Sequence, residues 1–208
     1  MKSLALVIGA AVVGLGAASA QESSHFAFNV GAGFTTPVGS TGRYVDEGWN
    51  VGAGAGVNFS PYVGALIDLS YNTMGINSTT LANFGAPGGG MHVFSATLDP
   101  IVHLAPRSHV DVYVTGGGGL YRRQEDLTAP TVSIVPAGNA FFGYYPLAVP
   151  TTAILASSSI VKPGVDIGMG FAFGSKWHGK FFAEAKYNRI IMGQYHADYV
   201  PVTFGFRW

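Results

Sequence analysis

The C-terminal segment Val200-Pro-Val-Thr-Phe-Gly-Phe-Arg-Trp208 is the most informative part of the sequence. Apolar or aromatic residues alternate in it with small or polar ones, so a β-strand built from it has one apolar face and one small or polar face. A soluble protein rarely ends on such a strand. A closed barrel in lipid needs one, because its apolar face meets acyl chains while its backbone pairs with the first strand.

The same residues carry a resemblance to a known family. Val202, Phe204, Phe206 and Trp208 resemble the C-terminal signal of bacterial outer-membrane β-barrels, which the barrel-assembly machinery recognises. Together with Phe182-Ala-Glu-Ala-Lys-Tyr187, they look like the closing hairpin of the small OmpA/OmpX-like barrels. The resemblance implies a location in the outer membrane of a Gram-negative bacterium, with outer-membrane lipids and the assembly machinery as partners. It implies no single activity, because the family includes adhesins, structural proteins and complement-resistance factors.

The composition narrows the possibilities further. Charged residues make up 11% of the chain, less than half the usual share, and the 30 glycines are about twice the usual share. The formal net charge is zero, so nothing favours a nucleic-acid partner. The absence of cysteine excludes disulfides and thiolate metal sites.

Residues 1–20 are typical of a secretory signal peptide. Lys2 supplies the positive end, and the apolar run from Leu4 to Ala17 is too short for a comfortable transmembrane helix. Ala18 and Ala20 fit the rule of small residues at a cleavage site. The sequence therefore predicts a mature chain of residues 21–208 that forms one outer-membrane β-barrel domain.

Seven further segments upstream of the terminal strand also alternate in polarity. They begin near Phe26, Trp49, Val63, Phe94, Val110, Val165 and Phe181. Pro100 interrupts the fourth segment, and we expect that strand to bend there. Eight is the smallest usual strand number for such proteins, so the predicted fold is all-β, an eight-stranded antiparallel up-and-down transmembrane β-barrel. Five aromatic residues near the strand ends are candidates for the interfacial girdles: Trp49, Phe59, Tyr71, Tyr187 and Trp208.

The predicted connections alternate in length, as outer-membrane barrels require for periplasmic turns and external loops. The short ones lie at residues 60–62, 105–108 and 175–179. The longer ones lie at residues 37–48, 75–90, 123–158 and 193–199, the last being of medium length.

The polar faces of the strands carry seven charged residues that are expected to form a network in the lumen: Asp68, Asp99, Asp111, Asp166, Glu184, Lys186 and Arg207. Charges are costly in lipid and must turn inward, where they need partners or water. Glu184 with Lys186 or Arg207 is one expected pair. The excess of acids is expected to meet water, to be protonated, or to meet loop cations such as Arg122 or Arg123.

The connection at residues 123–158 is unusually long and apolar, and it contains four prolines. A long connection in a compact domain is usually functional or disordered, and a disordered one would be charged. One hypothesis is that it covers the barrel mouth or contacts a partner at the cell surface. The alternative is a loop folded on its own barrel rim with no partner.

Motifs for catalysis, metal binding or a cofactor are weak. His92, Ser95 and Asp99 are the nearest approach to a hydrolytic group, but position 92 faces away from the other two on a strand. His103 and His109 lack a third metal ligand. Gly116–Gly119 lacks the Lys and Ser/Thr that follow in a phosphate-binding loop. We therefore expect no enzymatic activity, no metal and no cofactor.

Three classes of function remain. The first is a non-enzymatic outer-membrane barrel with a structural or surface-interaction role through its long external loops. The second is a narrow, porin-like channel for water or small solutes. The third is a soluble ligand-binding barrel of lipocalin type, which would turn its apolar faces inward.

Overall fold

The computed structural model describes residues 26–139, 143–175 and 179–208. Eight antiparallel strands form a closed ring in chain order, with β8 pairing back to β1. The strands are β1 (Phe26–Val38), β2 (Val45–Asn58), β3 (Val63–Ile76), β4 (Gly88–His103), β5 (Val110–Asn139), β6 (Gly143–Ser175), β7 (Gly179–Met192) and β8 (Tyr195–Arg207). In these three ranges, no helix is long and apolar enough to cross a membrane. The predicted all-β, eight-stranded antiparallel barrel is confirmed.

The strand register fixes the tilt of the strands. The row of paired residues that starts at Phe28 passes once around the ring and returns to β1 at Val38, ten residues further along. A stagger of this size in an eight-stranded barrel corresponds to strands tilted by roughly 40°, within the usual range for closed barrels.

The two faces of the sheet separate as the alternation predicts. Outward side chains are apolar and exposed, such as Ile167 and Met169, which are both 66% exposed. Many inward side chains are polar or small, and Asp99 is 1% exposed. Two buried apolar clusters also face inward, one around Met74, Met91 and Val93 and one around Leu66, Ile101 and Phe182. Because the outside is apolar and the inside polar, the sidedness is the reverse of that of a soluble barrel.

Aromatic side chains collect at both rims of the barrel. At one rim the rings of Trp49 and Tyr71 lie 5.7 Å apart. At the other rim Phe181 lies against Phe206, which lies against Trp208, with ring centroids 5.3 and 6.0 Å apart. Two such girdles are typical of barrels that cross a membrane.

Pro100 interrupts pairing without shifting the register. The β4–β5 ladder lacks pairs between Leu98–Gly118 and Ile101–Thr115, and the same register continues on both sides. Thr115 donates a hydrogen bond from Oγ1 to the Pro100 carbonyl over 3.2 Å, which satisfies an acceptor beside the gap.

Three of the longer connections are shorter than predicted, because strand pairing continues into them. Residues 39–44 join β1 to β2 and contain a 3-10 helix, Thr41–Arg43. The segment between β3 and β4 contains a short helix, α1 (Ser78–Phe84), which Asn77 caps by accepting a hydrogen bond from the Thr80 amide. Met192 pairs with Tyr195, so β7 and β8 are joined by a two-residue turn with Gly193 at φ 75°.

The largest correction concerns residues 123–158, predicted as a loop. β5 and β6 remain paired from the barrel up to Asn139 and Gly143, so this segment is a β-hairpin extension. Its alternation was hidden because the hairpin is apolar on both faces, which leaves no period-two signal.

Candidate functional site

Lys186 is the centre of the polar lumen. Its Nζ lies 2.7 Å from Oδ2 of Asp68 and 2.7 Å from Oδ2 of Asp99, and 3.8 Å from Oε1 of Glu184. Thr97 donates a further hydrogen bond to Asp99 Oδ2 over 3.0 Å. One cation on β7 therefore holds carboxylates on β3 and β4, on the opposite wall of the lumen.

A second polar group lies at the end of the lumen near the short turns. His103 Nδ1 lies 2.6 Å from Asp111 Oδ2, and Lys180 Nζ lies 3.8 Å from the same oxygen. Asp111 is thus held by two neighbours, His103 and Lys180, that are not among the seven residues of the predicted lumen network. A signal was available, since positions 103 and 180 lie on the polar face in strand parity.

Arg207 lies near this group but outside the ion-pair network. Its guanidinium stacks over the ring of Tyr113 at 4.4 Å and over Phe182 at 5.5 Å. Within the described part of the chain, its three guanidinium nitrogens are buried without a hydrogen-bond partner. The structure therefore places Glu184 with Lys186 rather than with Arg207.

Asp166 lies farther up the lumen, in a layer of neutral polar groups. The Tyr121 hydroxyl lies 3.2 Å from Asp166 Oδ2 and 3.1 Å from Asn188 Oδ1. On the facing wall Asn50 donates to the Phe34 carbonyl over 2.8 Å, and Thr203 donates to Asn50 over 2.9 Å. These residues cross-link the wall through hydrogen bonds instead of charges.

The predicted loop cations lie elsewhere. Arg122 faces outward and donates from Nε to Ser159 Oγ over 3.0 Å. Arg123 pairs with Glu125 and lies 3.3 Å from the Met192 sulfur. Within the described ranges, neither forms an ion pair with a lumen carboxylate, because β5 carries both residues above the lumen network.

The open space beside Lys186 is small, whereas a wider cavity of about 500 Å³ opens at the end of the lumen that holds His103, Asp111 and Lys180. A cavity of about 40 Å³ lies among Asn50, Asp68, Asn72, Glu184 and Lys186. It has room for a few water molecules at most. Inward glycines leave space that aromatic rings fill: a Cβ on Gly170 would lie 2.5 Å from the Tyr113 hydroxyl, and one on Gly164 would lie 2.7 Å from the Tyr121 ring.

The histidine candidates do not assemble into a catalytic group. His92 faces outward, with its ring stacked on Tyr71 and Nδ1 3.0 Å from the Tyr71 hydroxyl. Ser95 faces inward and shares a 2.7 Å hydrogen bond with Ser70. Among the residues that the structure describes, no group of three His, Cys, Asp or Glu side chains could hold a metal ion.

The external hairpin, defined here as Thr128–Asn139 of β5 and Gly143–Ile154 of β6, projects from the other end of the barrel. β5 is last paired with β4 at Thr128, and β6 is last paired with β7 at Gly164, so the hairpin has two open edges. A bulge lies between Leu127 and Thr128 at its base. At about 3.3 Å per residue, the described strands extend roughly 35 Å beyond the barrel wall.

The residues of the predicted C-terminal insertion signal lie in the described part of the chain, and those of the predicted signal peptide do not. Trp208 stacks on Phe28 with ring centroids 6.3 Å apart, and backbone hydrogen bonds of 2.9 and 3.0 Å join the same two residues. Phe204 pairs with Ala32 and Phe206 with Val30. The predicted signal peptide, residues 1–20 with Ala18 and Ala20, lies outside the described residues.

Solved structures of small outer-membrane barrels are similar to this chain. Neisserial surface protein A superposes with a TM-score of 0.56 at 14% identity, over 90% of this chain and 98% of that one. OprG from Pseudomonas aeruginosa gives 0.48 at 13% identity, over 88% and 95%. Ail from Yersinia pestis gives 0.45 at 16% identity, over 88% and 98%. At such identities the likeness concerns the fold alone.

No curated protein matches this chain in sequence. The family model "Outer membrane protein beta-barrel domain" matches residues 8–207. The closed antiparallel ring, the apolar outside and the polar lumen agree with that match. The chain belongs to the outer membrane protein beta-barrel family and is an OmpA-like barrel of the outer membrane of Gram-negative bacteria.

Proposed function

We propose that this barrel is a non-enzymatic surface protein whose external hairpin contacts a partner outside the cell. The observation that carries this proposal is the exposure of apolar side chains on the hairpin: Ile134 is 72% exposed and Tyr144 is 69% exposed. A contiguous apolar surface of this kind marks an interaction site in most proteins that carry one.

The lumen supports a structural role for the barrel itself. Lys186 crosses the interior to reach carboxylates on the far wall, and the cavity beside it is about 40 Å³. An eight-stranded barrel has an interior only just wide enough for side chains. The barrel thus serves as a rigid membrane anchor that presents the hairpin.

Biogenesis forms part of the proposal. Residues 1–20 direct export and are removed after Ala20, with Ala18 as the second small residue of the site. The mature domain, residues 21–208, is then recognised by the assembly machinery through Val202, Phe204, Phe206 and Trp208. Asp68, Asp99, Asp111, Asp166, Glu184, Lys186 and Arg207 keep their charges in the lumen, away from lipid.

The principal experiment removes the hairpin. Replacing Thr131–Val149 by an Asn-Gly turn should leave a heat-modifiable barrel and should abolish cell-surface binding and aggregation conferred by the protein. A matched control keeps the length and changes Val132, Ile134, Leu147 and Val149 to Thr, which preserves β-propensity and removes the apolar surface. Unchanged surface behaviour in a folded deletion variant would refute the proposed function.

The narrow channel is the second candidate, supported by the acidic lining of the lumen. Planar-bilayer recordings distinguish the two. A structural barrel gives no conductance. A channel gives a conductance that changes with Asp68→Ala or Glu184→Ala, because both side chains line the cavity. The soluble lipocalin-type alternative is not retained, since the exposed outward side chains are apolar and the chain is an outer-membrane protein.

A further inference from the structure

The distal ribbon, residues 132–137 and 144–150, is apolar on both of its faces. On one face Val132 lies opposite Pro150, Ile134 opposite Ala148, and Pro136 opposite Pro146. The other face carries the pairs Ser133–Val149, Val135–Leu147 and Ala137–Tyr145. A partner that covered only one face would leave the other in water.

The open edges of the ribbon are blocked against strand addition. The hairpin contains four prolines, all at even-numbered positions: Pro130, Pro136, Pro146 and Pro150. Hydrogen-bonded and non-hydrogen-bonded pairs alternate along an antiparallel ladder, so the register places all four prolines in pairs of the same type. Proline has no N–H, so these are pairs whose backbone groups point to the open edges. Two prolines on each edge therefore remove donors that an added strand would need.

The chemistry of the ribbon excludes a partner recognised by charge. No Asp, Glu, Lys, Arg or His occurs between Asp126 and Lys162. A sulfated or phosphorylated polymer, or a strongly charged protein surface, would find no complementary group on it. The surface instead offers aliphatic side chains and two tyrosines, Tyr144 and Tyr145, near the turn.

We propose, building on the function proposed above, that the distal ribbon docks into the interfacial layer of an apposed lipid bilayer, with the tyrosine end leading. Lipid can surround a ribbon and cover both faces at once, whereas a flat protein surface covers only one of them. Tyrosine favours the depth of the headgroups, where its ring is buried and its hydroxyl is wet. The backbone groups that remain open on the edges keep the insertion shallow, because unpaired carbonyls are tolerated among headgroups and not in hydrocarbon.

The direction of the ribbon favours an apposed bilayer over the membrane that holds the barrel. β5 and β6 run without interruption from the barrel wall into the hairpin, and both lose their barrel neighbours on the way. Four threonines, Thr128, Thr131, Thr151 and Thr152, lie near the base of the hairpin, so the base is more polar than the end. This order places the apolar segment away from the home membrane.

The test uses the absence of cysteine from the chain. The full mature protein in nanodiscs carries one cysteine, Val135→Cys or Ser157→Cys, labelled with an environment-sensitive fluorophore. The probe is neutral phosphatidylcholine vesicles. The label at position 135 should shift to the blue and the protein should float with the vesicles, while the label at position 157, near the barrel rim, should not respond.

The matched variant carries a lysine on each face of the distal ribbon. Ile134→Lys with Leu147→Lys should weaken vesicle binding at least about tenfold, since lysine is costly in a bilayer even near its interface. Ser157→Lys with Ser158→Lys adds the same charge at the base and should bind as the wild type does. Heat-modifiable migration reports that each variant is folded.

Other outcomes overturn the inference. Binding only to anionic vesicles, a blue-shifted label before vesicles are added, or cross-linking between copies in place of flotation would each exclude docking into an apposed neutral bilayer. If vesicles fail to bind but the hairpin deletion still abolishes surface binding, the partner is not lipid and the proposed function stands. If the deletion has no effect on the cell surface, the proposed function fails as well.

Discussion

Nζ of Lys186 lies 2.7 Å from Oδ2 of Asp99, across the lumen from the strand that carries the lysine. Asp99 is 1% exposed, and the same lysine nitrogen also reaches Asp68. A buried ion pair with further hydrogen bonds contributes little compared with an apolar core, but breaking one leaves an uncompensated charge. Lys186 therefore joins opposite walls of the barrel, and its removal has a predictable cost.

Lys186→Met should destabilise the folded barrel by about 3–5 kcal/mol, because it leaves buried carboxylates without their cation. The measurement is the urea midpoint of the refolded protein in detergent. Adding Asp68→Asn and Asp99→Asn to the same chain should recover most of the loss, since the repelling charges are then gone.

Lys180→Met is the matched control. Lys180 lies 3.8 Å from Asp111 at the end of the lumen, where His103 also holds that carboxylate. Its loss should cost much less than the loss of Lys186. Equal costs at the two positions would show that the central network has no special part in stability.

Gly164→Ala should also destabilise the barrel, through packing and not through charge. The added Cβ would lie 2.6 Å from the Arg189 carbonyl and 2.7 Å from the Tyr121 ring, so strand or ring must move. Overpacking of this kind costs about 1–3 kcal/mol. At Gly75 the nearest atom to a new Cβ is 3.8 Å away, and Gly75→Ala should leave the urea midpoint nearly unchanged.

How far the sequence predicts this molecule depends on which residues lie on a two-residue period. The face of Ile167 and Met169 was predictable, because apolar and polar side chains alternate there. The contact of Lys186 with Asp99 was not, since β4 and β7 meet across the lumen and only the closed register brings them together. The stacking of Arg207 on Tyr113 is likewise predictable only when the complete eight-stranded barrel is known.

The external hairpin could not be predicted from the sequence. Its strands are apolar on both faces, so Val135–Leu147 and Ile134–Ala148 give no alternation, and the four prolines favour a loop. Pairing beyond the barrel continues because each proline occupies a position where no inward N–H is needed. The two-residue alternation is absent there because both faces of the paired strands are apolar.

Trp208→Ala should lower the amount of assembled barrel in cells several-fold, whereas Trp208→Phe should not. The indole stacks on Phe28 and lies at a tilt against Phe206 where β8 closes onto β1, and we propose that the assembly machinery recognises the same residue. The measurement is the heat-modifiable fraction in outer membranes. Trp49→Ala removes the same side chain from the opposite rim, and an equal loss in that variant would contradict a specific role for the terminal residue.

Replacing Pro130, Pro136, Pro146 and Pro150 together by Val should convert a monodisperse protein into one that associates with increasing concentration. Valine restores an N–H at each position, and the register directs these donors to the open edges, so added strands can pair there. Analytical ultracentrifugation in detergent measures the association. Ala148→Val with Thr152→Val raises apolar character at positions of the same parity without adding donors, and it should remain monodisperse. If the proline-free chain also stays monodisperse, edge protection is not the role of the prolines. If the Ala148/Thr152 variant associates as strongly, apolar character drives association and the open edges do not.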